Sequence, residues 1–157
     1  MKPTILVPYD FSQAARAALG WAADLQKTAG AGPLRVIYAV SALTQVAGDL
    51  PIEPLLPSQD QAEEIERSLV EVGRTAGATV YAKVIVSPKT IGDIILNEAS
   101  STGADLIVMG THGRGALRRI FLGSVADHVV RHATCPVVTF RAPDARAGRA
   151  VDHRQAM

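Results

Sequence analysis

Short apolar runs alternate along the chain with segments whose apolar residues recur every three or four positions. Runs of the first kind are typical of strands buried on both faces of a sheet, and the second spacing is typical of helices that bury one face. The apolar runs occupy residues 4–8, 34–40, 78–86, 105–109 and 136–140. This alternation predicts a three-layer α/β sandwich, in which right-handed crossovers place helices on both faces of a parallel sheet.

Polar residues that commonly cap helices begin the periodic segments. Ser12, Ser58 and Thr90 each stand before such a segment, and Gln61 completes a capping box with Ser58. A fourth helix is expected to begin at Ser124, with that residue as its cap, and to end at about residue 132. The sequence therefore predicts four helices between and after the strands.

The apolar faces of these helices and their ends can be read from the same spacing. We expect Trp21 to belong to the buried face of the first helix and Ile91 to that of the third. Gly30 and Gly103 can end these two helices, because glycine readily adopts the left-handed conformation of a helix C-terminus.

Two segments lack any periodicity. Residues 41–57 contain Pro51, Pro54 and Pro57 and are expected to form a long irregular loop. Residues 142–157 are rich in Ala, Arg and Asp, which is typical of a disordered tail. We therefore expect one domain over residues 1–141, followed by a tail at residues 142–157.

Composition and charge favour a globular protein of the cytoplasm. The chain has 157 residues, of which 48% are hydrophobic and 20% charged. The net charge of +1 gives no reason to expect nucleic acid as a partner. The single cysteine, Cys135, cannot form an internal disulfide, and no apolar run approaches the length of a membrane span. We expect a cytoplasmic protein with neither a membrane nor a nucleic-acid partner.

Two segments that follow predicted strands carry candidate site chemistry. Ligands of open α/β sheets bind beyond the carboxyl ends of the strands, where the strand order reverses. Asp10 follows the first strand, and the glycine-containing residues 110–123 follow the fourth. Glycine backbone can approach an anion closely, and a helix that begins at Ser124 offers free N–H groups and a partial positive charge. Phosphate is the natural ligand, although a purely structural strand-to-helix turn fits the same residues.

Other signatures of nucleotide, metal or phosphate chemistry are missing from the sequence. There is no G-x-x-x-x-G-K-[ST] motif, and DFS rather than a glycine-rich fingerprint follows the first strand. His128 and His132 have a spacing that can bind metal, but Val129 stands where the H-E-x-x-H motif has its glutamate. A phosphoacceptor regulator needs an aspartate after the third strand, where SP stands instead. These absences argue against a standard P-loop, a dinucleotide fold, a zinc protease and a response regulator.

The glycine spacing resembles the signature of the universal stress protein family. Gly110-x-x-Gly113, nine further residues and then Gly123-Ser124 follow the family pattern G-2x-G-9x-G-[S/T]. The opening ILVPYDFS and the closing HATCPVVTF resemble the family's first strand and its last helix–strand connection. The resemblance covers residues 2–141. It implies a five-stranded parallel sheet of order 3-2-1-4-5 with two helices on each face, the Rossmann-like fold of adenine nucleotide alpha hydrolase-like proteins.

The resemblance also implies nucleotide-binding residues, because an intact glycine motif marks the family members that bind ATP. Asp10 would meet the ribose or the base, Pro8 would shape the turn, and the backbone of Val40 would face adenine. The residues expected to border the ribose or to lie at the phosphates are Met109, Gly110, His112, Gly113, Arg114, Gly123, Ser124 and Val125. ADP or AMP would use the same residues. A magnesium ion would bridge phosphate oxygens without a direct protein ligand.

Two functions fit these expectations. The first is a nucleotide-dependent sensor or switch of the stress response that binds ATP without an evident catalytic residue. The alternative is a slow ATPase or autokinase at the same site, where Asp10 is the one clear carboxylate. We also expect a homodimer. The apolar strand Val137–Phe140 would lie at an exposed sheet edge, through which relatives of the family pair antiparallel.

Overall fold

A computed structural model describes residues 2–43, 45–47, 50–52, 54–111 and 122–142 of the chain. The strands are β1 (Ile5–Pro8), β2 (Leu34–Ser41), β3 (Gln45–Ala47), β4 (Leu50–Ile52), β5 (Val80–Ser87), β6 (Leu106–Gly110) and β7 (Val137–Phe140). The helices are α1 (Gln13–Ala29), α2 (Gln59–Thr75), α3 (Ile91–Thr102) and α4 (Ser124–His132).

The main sheet has the order β5-β2-β1-β6-β7, and every neighbouring pair is parallel. Counted among the five predicted strands, this is the order 3-2-1-4-5, so the prediction of fold and strand order is confirmed. β1 and β6 are neighbours, with Leu6 opposite Ile107. Because the strand order reverses between these two strands, a crevice forms beyond their carboxyl ends.

Side chains alternate across the sheet and bury two separate helix layers. Val7 of β1 belongs to a buried cluster with Leu19 of α1 and Leu69 of α2. The preceding residue, Leu6, belongs to a second cluster with Ile95 of α3. Helix α4 packs against α3 on this second face. The molecule is thus a three-layer sandwich, as the alternating sequence pattern predicts.

Three of the four helices begin at the side-chain caps that the sequence predicts. The hydroxyls of Ser12, Ser58 and Thr90 each accept a hydrogen bond from a backbone N–H of the first turn. Gln61 closes the capping box by accepting from the N–H of Ser58 at 2.9 Å. Gly30 ends α1 in the left-handed conformation, at φ 61°. These caps satisfy backbone groups that a helix terminus otherwise leaves unpaired.

Helix α4 begins differently, and the prediction that Ser124 caps it is wrong. Its N-cap is Gly123, which is extended at φ −60° and ψ 153°, and no side chain of the described residues caps the helix. Ser124 is already the first helical residue. A side-chain cap requires an extended backbone at the capping residue itself, so the Ser124 hydroxyl is in the wrong position for that role.

Residues 41–57 contain regular structure that the prolines concealed. β3 and β4 form a two-stranded antiparallel sheet with Gln45 opposite Ile52 and Val46 opposite Pro51. The expectation of an irregular loop is wrong for these residues. Proline lacks only the N–H donor, and a two-stranded sheet consists of edge strands, in which that loss is tolerated.

Two large apolar residues predicted to face inward are partly exposed. Trp21 and Ile91 each keep 39% of their surface accessible. The Trp21 ring contacts Phe140 of β7 at a centroid distance of 5.7 Å, at the margin of the sheet. Ile91 borders the cavity described below. Helical spacing indicates the correct side of the helix, but it does not show where the neighbouring layer ends.

Residues 143–157, which include most of the predicted tail, lie outside the described residues. Within the described ranges, no helix combines the length and the apolar character needed to cross a membrane.

Candidate functional site

A cavity of about 450 Å³ lies at the carboxyl ends of β1, β2 and β6, beside the first turn of α4. It occupies the crevice where the strand order reverses, as expected for a ligand site of this fold. Seven of the residues predicted from the sequence line it: Pro8, Asp10, Met109, Gly110, Gly123, Ser124 and Val125. The fold therefore brings together segments that are more than a hundred residues apart in the chain.

The polar end of the cavity is formed by the start of α4. The first hydrogen bond within this helix runs from the N–H of Asp127 to the carbonyl of Gly123 at 2.8 Å. The N–H groups of Ser124, Val125 and Ala126 precede that bond and have no partner within the helix. All three residues line the cavity. The helix dipole adds a partial positive charge at the same point, which favours an anionic group.

The start of α4 is fixed to the end of β6 by the backbone. The N–H of Gly123 donates to the carbonyl of Thr111 at 2.8 Å, and the N–H of Thr111 donates to the carbonyl of Phe140 at 2.8 Å. Thr111 is 4% exposed. The helix N-terminus is thus held beside the carboxyl end of β6 by two backbone hydrogen bonds.

One wall of the cavity is apolar and was not predicted from the sequence. Ile37 of β2 and Ile91 and Ile95 of α3 line it, together with Tyr38 and Ala39. From the sequence, these residues are typical of a buried strand or of the buried face of a helix. Nothing in their spacing distinguishes a cavity wall from ordinary core, so only the packing of α3 beyond the sheet identifies them.

The turn after β1 is shaped by Asp10 and Phe11. A carboxylate oxygen of Asp10 accepts a hydrogen bond from the N–H of Ser12 at 3.0 Å. Phe11 has φ 65°, a left-handed conformation that costs a residue with a side chain about 1–2 kcal/mol. Its ring contacts Tyr9 at 5.2 Å and Tyr38 at 6.0 Å. Such aromatic pairs contribute about 0.5–1.5 kcal/mol each, so they can offset the strain of the turn.

Close packing against helix α1 requires a glycine at position 110. A Cβ at this position would lie 2.9 Å from both the Cβ of Ala14 and the backbone N of Ala15. The bare backbone therefore allows the end of β6 to approach the first turn of α1. Gly110 also lines the cavity, and its proximity to a nucleotide remains a prediction.

Tyr9 is a buried ionisable group of the cavity wall. Burial raises the pKa of its hydroxyl, and Arg16 opposes this shift by its charge and a hydrogen bond. The backbone N–H of Tyr9 donates to the carbonyl of Ile37 at 2.8 Å. The raised pKa keeps the Tyr9 hydroxyl neutral at physiological pH.

Val40 does not line this cavity. It borders an adjacent hollow of about 510 Å³, and Tyr38 lines both this hollow and the cavity. Its predicted backbone role towards adenine stays a prediction. His112, Gly113 and Arg114, also predicted as binding residues, lie outside the described residues.

The histidines of α4 are engaged with protein groups. The Nε2 atom of His128 lies 2.8 Å from a carboxylate oxygen of Asp93. The Nδ1 atom of His132 lies 2.8 Å from the backbone carbonyl of His128. No group of three or more His, Cys, Asp or Glu side chains that could hold a metal ion occurs among the residues for which coordinates are described.

The fold is that of a Rossmann-like α/β protein with a cavity at the switch point of its sheet. The universal stress protein family model matches residues 1–141. The chain belongs to the universal stress protein family.

Relatives and solved structures agree with this assignment. A universal stress protein of Thermus aquaticus is 33% identical over 141 residues, which cover 90% of this chain and 100% of that protein. The structure of a universal stress protein from Archaeoglobus fulgidus has a TM-score of 0.68 at 25% identity, covering 89% of this chain and 99% of that one. The Archaeoglobus fulgidus protein in complex with dAMP has a TM-score of 0.64 at 25% identity, covering 88% and 97%.

Proposed function

We propose that this universal stress protein binds an adenine nucleotide, ATP in the first instance, and acts as a nucleotide-dependent regulatory protein of the cytoplasm. The observation that carries the proposal is the start of α4, which has no side-chain cap among the described residues and borders the switch-point cavity. The phosphates would lie at this helix terminus, and the base and ribose would lie along the apolar wall.

Electrostatics support a phosphate at the start of α4. Three consecutive residues, Ser124, Val125 and Ala126, supply N–H groups without partners inside the helix, and all three border the cavity. The Ser124 hydroxyl is available as a further donor because it is not used as a helix cap. Hydrogen bonds to a charged group contribute about 1.5–3 kcal/mol each, more than those between neutral groups.

Size and polarity support a nucleoside as the rest of the ligand. The volume of about 450 Å³ lies within the range of about 300–1,000 Å³ that is usual for small-molecule sites. Ile37, Ile91 and Ile95 provide an apolar surface against which a flat base can pack. The complex of the Archaeoglobus fulgidus protein with dAMP supports an adenine base.

A magnesium ion would be bound through the nucleotide. The described residues provide no cluster of three metal-ligating side chains. Magnesium favours an octahedral set of oxygen ligands and commonly takes several from water and phosphate. A Mg–ATP complex therefore fits the residues present, with phosphate and water oxygens as the metal ligands.

Binding without turnover is favoured over hydrolysis by the acid–base groups of the cavity. Asp10 is the one carboxylate among the described residues that line it, and it already accepts a hydrogen bond from Ser12. Hydrolysis needs a base that positions the attacking water. Single-turnover assays with labelled ATP test this point: release of ADP, or a phosphorylated protein, faster than in buffer would support the slow ATPase or autokinase.

The regulatory unit would be a homodimer formed through β7. This strand is the last of the sheet and pairs with β6 alone in the sheet order. Its four residues are half-buried, although α1 and α4 contact the strand from the two faces of the sheet. A second copy could extend the sheet across this edge about a two-fold axis.

The experiment that tests nucleotide binding starts from freshly expressed protein. Mass spectrometry would identify any nucleotide that co-purifies, and calorimetric titration of the stripped protein with ATP, ADP, AMP and adenosine would rank them. We expect the phosphorylated ligands to bind more tightly than adenosine. If none of the four ligands shows saturable binding, the proposed function is wrong.

A further inference from the structure

A hydrogen-bonded pair, Asp93 and His128, joins the two helices that line the cavity on one face of the sheet. The Nε2 atom of His128 in α4 lies 2.8 Å from the Oδ1 atom of Asp93 in α3. The other carboxylate oxygen, Oδ2, accepts a hydrogen bond from the hydroxyl of Thr90 at 2.7 Å. Both oxygens of Asp93 are therefore engaged, which fixes the plane of the carboxylate towards α4.

The pair lies one helical turn from the residues that border the cavity. His128 follows Ser124 by four positions and is therefore on the same side of α4. Asp93 lies in the first turn of α3, between Ile91 and Ile95, which line the cavity. The Asp93–His128 pair thus connects the polar end of the cavity to its apolar wall.

Two neighbours, Gly92 and His132, pack against the His128 ring. A Cβ on Gly92 would lie 2.6 Å from the Cδ2 atom of His128 and 3.1 Å from its Cγ atom. The ring of His132 lies on His128 as well, with the centroids 4.4 Å apart. The imidazole therefore contacts the bare backbone of Gly92 and the ring of His132, while 37% of the His128 side chain stays exposed.

Helix α4 depends on such a contact because it is short and lacks a side-chain cap. It has nine residues, and its buried anchors are Ala126 and Val129. An ion pair on the same helix joins Arg131 to Asp127 at 2.8 Å, but this pair lies within α4 and does not reach α3. The Asp93–His128 pair, in contrast, ties the helix to a neighbouring element.

We propose that the Asp93–His128 pair positions the first turn of α4 over the cavity, so that His128 is a positioning residue for the phosphate group of the bound nucleotide. This inference rests on the proposed nucleotide-binding function. His128 does not line the cavity, and its effect is transmitted through the placement of the Ser124, Val125 and Ala126 N–H groups.

The experiment compares a ligand that has a phosphate with one that lacks it. Calorimetric titration measures the affinities for AMP and for adenosine in the wild type, His128→Ala and Gly92→Ala. We expect both variants to weaken AMP binding by about two- to thirtyfold, the usual range for coupling through packed side chains, and to leave adenosine binding unchanged. His128→Gln, which keeps an N–H donor for Asp93, should restore much of the AMP affinity. Arg131→Gln, which breaks only the pair within α4, is the matched control and should bind AMP like the wild type.

A second measurement tests the pair without any ligand. Hydrogen exchange of the amides of α4 should become faster in His128→Ala and stay unchanged in Arg131→Gln, because only the first loses the link to α3. Two results would overturn this inference and leave the proposed nucleotide binding intact. One is an unchanged AMP affinity in both His128→Ala and Gly92→Ala, and the other is an equal loss of affinity for AMP and adenosine. A wild type that binds neither ligand would remove the proposed function and, with it, the role of this pair in binding.

Discussion

Single residues set the shape of the cavity mouth, and several of them have roles other than ligand contact. Gly110 lets β6 approach α1, and Phe11 accepts a left-handed backbone at the turn beside Asp10. Gly92 makes room for the ring of His128. A glycine in a binding motif is therefore not by itself evidence of contact with the ligand. Close packing within the protein can also require a residue without a side chain.

Replacing Gly110 by alanine should destabilise the protein by about 1–3 kcal/mol, the usual effect of overpacking a rigid site. The added Cβ would meet the backbone of Ala14 and Ala15, which cannot move without shifting α1. Urea unfolding measures the change. Gly20→Ala is the matched control, because no atom lies within 4 Å of a Cβ there. In the interior of α1 it should stabilise the protein by about 0.5–1 kcal/mol. Equal stability of Gly110→Ala and the wild type would contradict this account of Gly110.

Acid should remove the contribution of Asp93 to stability. Hydrogen bonds from Thr90 and then from His128 hold the pKa of its carboxyl below the ordinary value of 3.8. A lowered folded-state pKa stabilises the fold above the unfolded-state value and loses that effect as the pH falls through the folded-state value. The wild type should therefore be more stable than Asp93→Asn near neutral pH, and the gap should close below pH 3.8. Thermal melts across this range measure the gap, and a gap that stays constant into strong acid would contradict the assignment.

Among the helices and strands, the sequence correctly predicts the features that neighbouring residues in the chain determine. Ser12, Ser58 and Thr90 stand before their helices as caps, and the five main strands appear as apolar runs. It fails where packing against another element decides, as in the exposure of Trp21, and where prolines conceal short strands, as in the pairing of β3 with the next strand, β4. The start of α4 was misassigned because a serine beside a glycine looks like a cap, and only the extended backbone of Gly123 shows otherwise.

Ser58→Ala should cost about 1 kcal/mol of stability, the usual value for loss of an N-cap, because both halves of the capping box are then lost. Urea unfolding at neutral pH measures the effect. Ser100→Ala is the matched control, an exposed serine inside α3 where alanine is the better helix former. A Ser58→Ala variant as stable as Ser100→Ala would show that the capping box contributes nothing measurable.

At the scale of the whole molecule, the sheet has two edges that differ in protection. On β5, the backbone N–H of Val84 donates to the carboxylate of Glu66 at 2.8 Å, so a side chain of α2 covers part of this edge. Beside β7, the carbonyls of Pro136 and Phe140 accept hydrogen bonds from the N–H groups of Ile107 in β6 and of Thr111, the residue after β6. Because the backbone N–H and C=O groups of successive residues in a strand point to opposite sides, those of Thr139 point away from β6. The edge at β7 is the better surface for a second copy.

Thr139→Pro should convert the expected dimer to monomer. The change removes an N–H that faces outward and breaks no hydrogen bond to β6, so the fold should persist. Light scattering at micromolar concentration measures the mass, and circular dichroism confirms folding. Ala82→Pro places the same change on the outward side of β5 and should leave the dimer intact. A wild type that is monomeric under these conditions, or a Thr139→Pro variant that stays dimeric, would show that β7 is not the interface.

The family and the fold follow from the sequence alone, because the glycine spacing and the alternation of elements are both visible in it. The candidate site is predicted in part: its polar end lies in the glycine motif, whereas its apolar wall is made of residues such as Ile37 and Ile95 that look like core. Such a wall depends on how α3 packs relative to the sheet. That relation is set by contacts across the whole molecule and leaves no local pattern.

The N–H groups at the start of α4 are proposed to bind a nucleotide phosphate, and one pair of variants tests this role. Ser124→Pro removes one of these N–H groups and the hydroxyl. Proline is well suited to the first helical position, and the extended backbone of Gly123 accepts a following proline. Ser124→Ala removes the hydroxyl and keeps the N–H.

Calorimetric titration of both variants with ATP and adenosine is the decisive measurement. We expect Ser124→Pro to fold normally, to weaken ATP binding by at least about tenfold more than Ser124→Ala does, and to bind adenosine like the wild type. If Ser124→Pro binds ATP as tightly as Ser124→Ala, the start of α4 is not the phosphate site.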